Sequence, residues 1–178
     1  MTDSDSLQQA IDEEVALVAF NPQWPALFEA ERERLMRQFP SQLIEVQHIG
    51  STAVAGLRAK PVIDLMAGVA AMAVAQALIE PLCNFGYTTS AAFNQTLTDR
   101  KWLMRWANGH RSHHLHLVVY AGPVWFERLR FRDMLRSDAA LAQHYSRLKD
   151  QLAAAHIRDR EAYTEGKAEF IRSVLEKG

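Results

Sequence analysis

The chain is poor in cysteine, in long apolar runs and in dense runs of one charge. Cys83 is the single cysteine among 178 residues, so no internal disulfide can form and a reducing cytoplasm is expected. The most apolar long stretch, residues 65–79, is alanine-rich and too short to span a bilayer, so no membrane partner is expected. Residues 1–14 lack the basic start and apolar run of a signal peptide, and we expect a flexible N-terminal leader there.

The net charge of −1 hides an uneven distribution. Residues 1–99 carry five Lys+Arg and twelve Asp+Glu, giving −7, whereas residues 100–178 carry fifteen and nine, giving +6. A basic second half can offer cations to a polyanionic ligand across a cleft. The alternative is that it carries only the mixed surface charges that keep helices soluble. No zinc-finger, helix-turn-helix or base-stacking pattern is present, so a nucleic-acid partner is not expected, and the four tryptophans are interpreted as core or rim residues.

Hydrophobic periodicity and turn residues predict a sheet followed by helices. The predicted strands are 43–49, 62–66, 86–89, 100–106 and 113–120, with a short extended segment at 15–20, and the predicted helices are 22–38, 71–85, 123–136, 138–155 and 159–176. Asn21, Ser137 and Asp159 are the predicted helix caps, and residues 90–99 are predicted to be a loop over a cleft. Asn108-Gly109 predicts a hairpin turn within a connection longer than two residues. This order predicts an α/β or α+β fold, as one domain over 15–178 with a sheet part at about 15–121 and a helical part at about 122–178.

The stretch from His48 to Met66 joins a strand to a turn, a short helical segment and a second strand. Gly50 allows the backbone to approach a ligand closely. Ser51 is predicted to be an N-cap, where free backbone N–H groups suit a phosphate. Asp64 interrupts an apolar strand, and a buried carboxylate needs solvent, a metal or a partner. We therefore expect Asp64 to face a cleft close to the Gly50-Ser51 turn.

This stretch resembles the signature of the nucleotidyltransferase superfamily, which has the DNA polymerase beta-like fold. The fuller motif HIGSTAVAGLRAKPVIDL, at 48–65, is similar to the GrpB family of small bacterial proteins with that fold. Further matches extend the resemblance from about residue 15 to about residue 175: NPQW at 21–24, HLH at 114–116, FRDMLR at 131–136 and YTEGK at 163–167. The resemblance implies a nucleotidyltransferase-like mixed sheet with flanking helices and a cleft, but no settled reaction.

The resemblance also implies a metal site. The superfamily places two carboxylates two residues apart on this strand to hold divalent ions, but the second position here is Met66, which cannot bind Mg²⁺. His114 and His116 fall about where a third carboxylate is expected, and with Asp64 they would form a His₂-carboxylate set suited to Zn²⁺, Fe²⁺ or Mn²⁺. His48 is a candidate fourth member. The alternative is that these histidines bind an anionic ligand without a metal.

Basic side chains complete the predicted site. Ser51 and Lys60 are candidates for holding phosphate, and with Asp64 they form the predicted catalytic set. Lys149 and Lys167 each follow a tyrosine by four residues, so each pair shares a helix face that either lines the cleft or serves only helix packing. Either face of the strand at 100–106 can place a cation in the cleft. The predicted ligand-binding residues are His48, Gly50, Ser51, Lys101, Lys149 and Lys167.

Three functional hypotheses follow from these residues. In the first, the cleft binds a nucleotide or other phosphorylated small molecule and can transfer a nucleotidyl group, with Mg²⁺, Mn²⁺ or Zn²⁺ as candidate cofactors. In the second, which Met66 favours, the protein is a non-catalytic regulatory or folding partner in coenzyme A synthesis, because GrpB-like domains also occur fused to dephospho-CoA kinase. In the third, His114 and His116 serve a metal-dependent hydrolase.

Overall fold

The computed structural model describes residues 14–177, which form a five-stranded mixed sheet and six α-helices. The strands are β1 (Glu45–Ile49), β2 (Ile63–Val69), β3 (Tyr87–Thr88), β4 (Lys101–Ala107) and β5 (His110–Val119). The helices are α1 (Trp24–Gln38), α2 (Met72–Cys83), α3 (Ala91–Gln95), α4 (Pro123–Ser137), α5 (Ala139–Ala155) and α6 (Arg160–Lys177). The predicted α+β class is confirmed. Over the described residues, no helix combines the length and the apolar character that crossing a membrane requires.

The sheet order is β1-β2-β5-β4-β3, and β2 pairs with β5 in parallel while the other neighbours are antiparallel. The β2–β5 register places Asp64 beside His114 and Met66 beside His116. Side chains of directly paired residues point to the same face of a sheet. These four residues therefore share one face, as the alternation in the sequence predicts.

The opposite face of the sheet is closed by an apolar core. Helices α1 and α2 pack against it, and β2 and β5 contribute alternate leucines to the contact. The fully buried leucines of this core are Leu35, Leu65, Leu82, Leu103, Leu115 and Leu117. Since this face is filled, the face that carries Asp64 is the one left for a site.

The C-terminal helices cover part of the Asp64 face. Trp125 of α4 packs against Ile49, Met66 and Val118 of the sheet. A further buried cluster joins the segment after β1 to α4 and α5, and it consists of Val54, Leu57, Leu135 and Tyr145. Met66 is fully buried in the first of these clusters, so the side chain at the position where the superfamily resemblance implies a second carboxylate is a core residue.

The segment before α1 is extended and contacts two distant parts of the chain. Its backbone pairs with Ala59 through an isolated bridge at Val18. The N–H of Val15 donates a 2.9 Å hydrogen bond to the carbonyl oxygen of Ile157, in the connection between α5 and α6. Residues 1–13, most of the predicted leader, lie outside the described residues.

The start of α1 differs from its prediction. The helix begins at Trp24 with Gln23 as its N-cap, whereas the sequence predicts Asn21 as the cap. The side chain of Asn21 instead accepts a hydrogen bond from the Gln23 N–H in the turn before the helix. The helix starts two residues late because Pro25, rather than Pro22, occupies the first turn.

The later helix caps are partly as predicted. Ser137 is the last residue of α4, and Asp138 caps α5 by accepting a hydrogen bond from the Leu141 N–H, so the prediction of Ser137 as the cap is wrong by one residue. Asp159 accepts a hydrogen bond from the Ala162 N–H just before α6, as predicted.

The connections around β4 are shorter and more ordered than predicted. Residues 90–99 contain the short helix α3 in place of a plain loop. The hairpin between β4 and β5 has a two-residue turn, because β5 starts at His110. Asn108 and Gly109 both adopt positive φ angles of 55° and 77°, the conformation that an Asn-Gly hairpin turn requires.

A buried acid on the core side was not predicted. Glu31 is 4% exposed and accepts a 2.6 Å hydrogen bond from the Tyr87 hydroxyl. It forms ion pairs with Arg34 at 2.9 Å and Arg105 at 2.6 Å. Burial raises the pKa of Glu31, but these hydrogen bonds and charges outweigh it and leave the pKa lowered. The network joins α1 to β3 and β4.

We expect Glu31→Ala to lower the free energy of unfolding by about 3–5 kcal/mol, because it leaves two partly buried arginines without their acid. Glu29→Ala is the matched control, since Glu29 is exposed on the same helix and pairs only with exposed Arg32. We expect the control to change stability by less than about 1 kcal/mol. Urea unfolding followed by circular dichroism measures both, and equal effects would contradict a structural role for this network.

Candidate functional site

The turn after β1 brings the backbone against Asp64. Gly50 has a φ of +75°, and a Cβ placed there would lie 2.6 Å from Asp64 Oδ2. Glycine is therefore required both by the backbone conformation and by the approach of the carboxylate. Asp64 lies next to the Gly50-Ser51 turn, as predicted.

Ser51 is not the helix cap that the sequence predicts. Gly50 precedes the 3-10 turn Ser51–Ala53 and has no side chain with which to cap it. The Ser51 hydroxyl instead accepts a 2.9 Å hydrogen bond from Lys149 Nζ of α5. The turn is thereby linked to the C-terminal helices through the serine predicted to hold phosphate.

Asp64 contacts His114 and His116, two of the four histidines of β5. His114 Nδ1 lies 3.3 Å from Asp64 Oδ1, and His116 Nε2 lies 3.7 Å from the same oxygen. Arg111 Nη1 lies 3.2 Å from His114 Nε2, and because the guanidinium can only donate, that ring nitrogen accepts. His114 is therefore the tautomer that donates its Nδ1–H to Asp64.

The protonation of this group follows from its burial. Burial lowers the pKa of His114 to about 4, despite the neighbouring carboxylate, and it lowers the pKa of His116 as well. Burial raises the pKa of Asp64, but the contacts from His114 and His116 outweigh it and hold the pKa well below its usual range. At neutral pH the group is a carboxylate between two neutral imidazoles.

His48 does not join this group. It pairs with Leu65 across β1 and β2, so it points to the core face rather than to the Asp64 face. Its Nε2 lies 2.9 Å from Thr52 Oγ1, and its ring stacks on Phe28 at 4.7 Å. The predictions of His48 as a ligand-binding residue and as a fourth metal ligand are therefore wrong, because the parity of β1 places it behind the sheet.

Three lysines lie near the tyrosines of α5 and α6. The Nζ atoms of Lys60 and Lys167 lie 5.1 Å and 4.6 Å from the centre of the Tyr163 ring. Lys149 Nζ lies 5.2 Å from the Tyr145 ring, and its side chain is 1% exposed. The lysine-bearing faces of α5 and α6 therefore look inward.

Burial and neighbouring positive charges lower the pKa values of these lysines. Burial lowers the pKa of Lys60 well below its usual range, and the charges of Lys167 and Arg160 lower it further. Burial and Lys167 together lower the pKa of Lys149 to about 7. The pKa of Lys167 is lowered by burial, although Asp64 opposes the shift. Asp64 and Asp150 oppose these shifts but do not cancel them.

A second positive group lies on the other side of Asp64. Burial lowers the pKa of Arg128, and the charge of Arg100 lowers it further. Arg128 also lowers the pKa of His116, after burial. Within residues 14–177, Arg100 Nε and His116 Nδ1 are buried without a hydrogen-bond partner. The cations that lie near Asp64, near its two histidines or near one another are Lys60, Arg100, Arg111, Arg128, Lys149, Arg160 and Lys167, which we call the cation ring.

Lys101 lies on the wrong side of the sheet. It pairs with Leu117, on the core face, and its Nζ donates to the carbonyl oxygens of Asn94 and Leu97 at 3.1 Å and 3.4 Å. The prediction of Lys101 as a ligand-binding residue is therefore wrong. The preceding residue, Arg100, is the one that adds a cation to the Asp64 face.

Several members of the cation ring were missed. Arg128 follows Trp125 by three residues, a spacing that places both on the same helix face, and this signal could have identified it. Arg111 and Arg160 had no local signal beyond the +6 charge of residues 100–178. Their position depends on how the helices pack against the sheet.

The donor set gives little support to a metal site. Among residues 14–177, no group of three or more His, Cys, Asp or Glu side chains has an arrangement that could hold a metal ion. Asp64, His114 and His116 carry the donor types of a single transition-metal site, but the cation ring surrounds them and Met66 is buried in the core. The residues do not fit a two-metal site, and the Asp64, His114 and His116 set stays a prediction.

A groove of about 650 Å³ lies on the other side of the Ser51–Ala53 turn. Its walls include Phe20, Val54, Leu135 and Ala142, and Arg136 is its one ionisable lining residue. The Arg136 side chain already donates to the Ala53 carbonyl oxygen at 2.9 Å. This groove is therefore separate from the charged site.

Comparison with known proteins gives a consistent result. A family model described as "GrpB protein" matches residues 14–177. Glutamate-rich protein GrpB of Alkalihalophilus pseudofirmus is 32% identical over 167 residues, which cover 91% of this chain and 94% of that protein. UPF0157 protein YqkA of Bacillus subtilis is 33% identical over 162 residues, covering 91% of this chain and 46% of that protein. This chain thus spans about half the length of YqkA.

Solved structures support the fold. The crystal structure of conserved protein GrpB from Enterococcus faecalis has a TM-score of 0.79 at 31% identity and covers 91% of this chain and 96% of that one. A cytoplasmic RNA terminal U-transferase has a TM-score of 0.43 at 15% identity. That likeness is too distant to carry an argument, so the nucleotidyltransferase activity stays a prediction.

Dephospho-CoA kinases are also among the relatives. Dephospho-CoA kinase of Mycolicibacterium paratuberculosis is 27% identical over 194 residues, covering 97% of this chain and 48% of that enzyme. The chain therefore spans about half the length of that kinase.

We expect Gly50→Ala to destabilise the protein more than Gly56→Ala. Both glycines have positive φ angles, of +75° and +82°, so both substitutions strain the backbone by about 1–2 kcal/mol. Only at Gly50 does the new methyl group meet Asp64, which adds about 1–3 kcal/mol; at Gly56 nothing lies within 4 Å. Thermal unfolding of the two variants measures the difference, and equal losses would contradict the close approach of Asp64.

We expect the stability to rise with pH between about 7 and 10 through Lys149. Its pKa is about 7 in the folded protein and 10.5 for an ordinary lysine, so the unfolded chain binds more protons in this window, and stability increases as pH rises. One such residue contributes a slope approaching about 1.4 kcal/mol per pH unit.

Lys149→Met removes this contribution, so its stability should depend less on pH than that of the wild type. Arg147→Met, at an exposed position on the same helix, should leave the slope unchanged. Urea unfolding at pH 7, 8 and 9 measures the slopes, and a Lys149→Met slope equal to that of the wild type would refute the shifted pKa.

Proposed function

This chain belongs to the GrpB family, and we propose that its cleft binds a nucleotide or another phosphorylated small molecule. The observation that carries the proposal is the cation ring around Asp64. Three of its lysines have lowered pKa values because they are buried near one another. A polyphosphate relieves this repulsion by supplying the missing negative charge.

The proposal assigns the phosphate contacts to the turn and its neighbours. Ser51 offers a hydroxyl beside Lys149, and Lys60 and Lys167 offer ammonium groups on either side of Tyr163. A bound phosphate raises the pKa of each lysine, so binding takes up protons. Metal-free binding should therefore tighten as pH falls from 9 to 6.

Binding has more support than nucleotidyl transfer. Transfer needs a group that removes a proton from the attacking hydroxyl, and a base works best with a pKa near the working pH. Asp64 has a pKa held well below its usual range, so it is a weak proton acceptor. The catalytic roles of Ser51, Lys60 and Asp64 and the hydrolase hypothesis for His114 and His116 stay predictions.

The test is calorimetric titration of ATP without divalent metal. We expect Lys167→Ala to weaken binding about tenfold or more, because a charged hydrogen bond contributes about 1.5–3 kcal/mol. Arg172→Ala is the matched control, since Arg172 is exposed on the same helix, and it should bind as the wild type does. Asp64→Asn should bind ATP more tightly, because it removes a carboxylate that repels the phosphates.

Repeating the titration with Mg²⁺ and with Mn²⁺ separates this proposal from a metal-dependent site. If binding requires metal and Asp64→Asn abolishes it, the carboxylate acts as a metal ligand and the cation ring is not the phosphate site. Absence of ATP binding to the wild type under every condition would refute nucleotide binding.

A second candidate function is a regulatory or folding partner in coenzyme A synthesis. The similarity to about half of a dephospho-CoA kinase favours it, as does the burial of Met66 at the second carboxylate position. Sedimentation of a mixture with the dephospho-CoA kinase of the same organism tests it. A complex at micromolar concentration would support this role, and independent sedimentation would refute it.

A further inference from the structure

A surface of uncharged aromatic side chains adjoins the cation ring. It consists of Trp102 on β4 and Phe93 on α3, whose ring centres lie 5.6 Å apart. We propose that this surface stacks the flat base of a nucleotide, so that the site selects nucleotides over simple phosphates and polyphosphates. The inference rests on the proposed function and narrows its ligand class.

Trp102 lies on the same face of the sheet as Asp64. It pairs with His116 across β4 and β5, and its ring centre lies 5.6 Å from that of His114. His114 in turn contacts Asp64 at 3.3 Å. A single imidazole ring thus separates the carboxylate from the indole. If the phosphates of a nucleotide lie in the cation ring, its sugar and base extend either toward Trp102 or toward solvent.

The contacts around the indole suit a stacked ligand. Phe93 and His114 meet the Trp102 ring plane at 88° and 64°, so neither lies parallel to it. Arg111 Cζ lies over the ring, 5.9 Å from its centre, so this guanidinium covers one face of the indole and the base stacks on the other. Phe93 is 43% exposed, which makes it an apolar ring facing solvent at the side of the site.

The aromatic surface is held by a buried amide. Asn94 is 4% exposed, and its Oδ1 accepts a 2.8 Å hydrogen bond from the backbone N–H of Trp102. Its Nδ2 donates to the Trp102 carbonyl oxygen at 3.1 Å and to Thr89 Oγ1 at 2.8 Å. Ser90 caps α3 by accepting from the Phe93 N–H. These bonds fix α3 against β4, so the two rings keep one relative position.

The test compares ATP with inorganic tripolyphosphate in metal-free calorimetry on the full chain. Tripolyphosphate carries at least as much negative charge, so charge alone cannot favour ATP. Stacking of a base on an aromatic side chain contributes about 1–3 kcal/mol, and each 1.4 kcal/mol is tenfold in affinity. We expect the wild type to bind ATP at least about fivefold more tightly than tripolyphosphate.

Trp102→Leu should reduce this preference to near unity and leave tripolyphosphate affinity unchanged. Phe93→Leu should reduce the preference in part, whereas Phe126→Leu, which alters an exposed phenyl on α4, should keep it. As a second readout, ATP but not tripolyphosphate should quench the tryptophan fluorescence of the wild type, a measurement that does not depend on the folding of any variant.

The outcomes separate the two proposals. Equal wild-type affinities for ATP and tripolyphosphate would overturn stacking but leave phosphate binding in place. An equal loss of both ligands in Trp102→Leu would make the indole a structural residue and would also overturn stacking. If the wild type binds neither ligand, both proposals fail.

Discussion

The parallel pairing of β2 with β5 is the contact on which the rest of the site depends. It aligns Asp64 with His114 and Met66 with His116, although the two members of each pair lie 50 residues apart in the sequence. A shift of one residue in this register would turn the histidines to the core face. The leucines that alternate with them on β5 are fully buried, so the apolar core on one face fixes the position of the polar group on the other.

The positive charge of the site comes from a different part of the chain than the Asp64, His114 and His116 group. The sheet supplies one carboxylate and two neutral imidazoles, whereas most of the cation ring belongs to the residues after 99. Burial and mutual repulsion both lower the lysine pKa values, so the folded chain holds these groups at a cost in stability. Apolar contacts such as those of Trp125 with Met66 and Val118 offset that cost. A site whose charges oppose the fold in this way is expected where function, not stability, selects the residues.

Local pattern was enough to predict some of the site. The apolar alternation around Asp64 and around His114 predicts which side chains share a face, and the glycine before Ser51 predicts a tight turn. The same reasoning failed for His48 and Lys101. Alternation tells which residues of one strand share a face, but which of the two faces carries Asp64 depends on the register with the neighbouring strands. The cation ring was predicted only in part. Arg111 and Arg160 reach the site through tertiary packing that leaves no local signal, and the spacing of Arg128 from Trp125 was overlooked.

The extended segment before α1 has a consequence for the cleft as a whole. Val18 bonds to Ala59, next to Lys60, and Val15 bonds to Ile157, just before Arg160. One short piece of backbone thus connects the loop on the sheet side of the cleft with the connection on its helical side. Residues from both walls are ordered during folding, before any ligand arrives. A ligand therefore meets a pre-organised cleft, and less conformational entropy is lost when it binds.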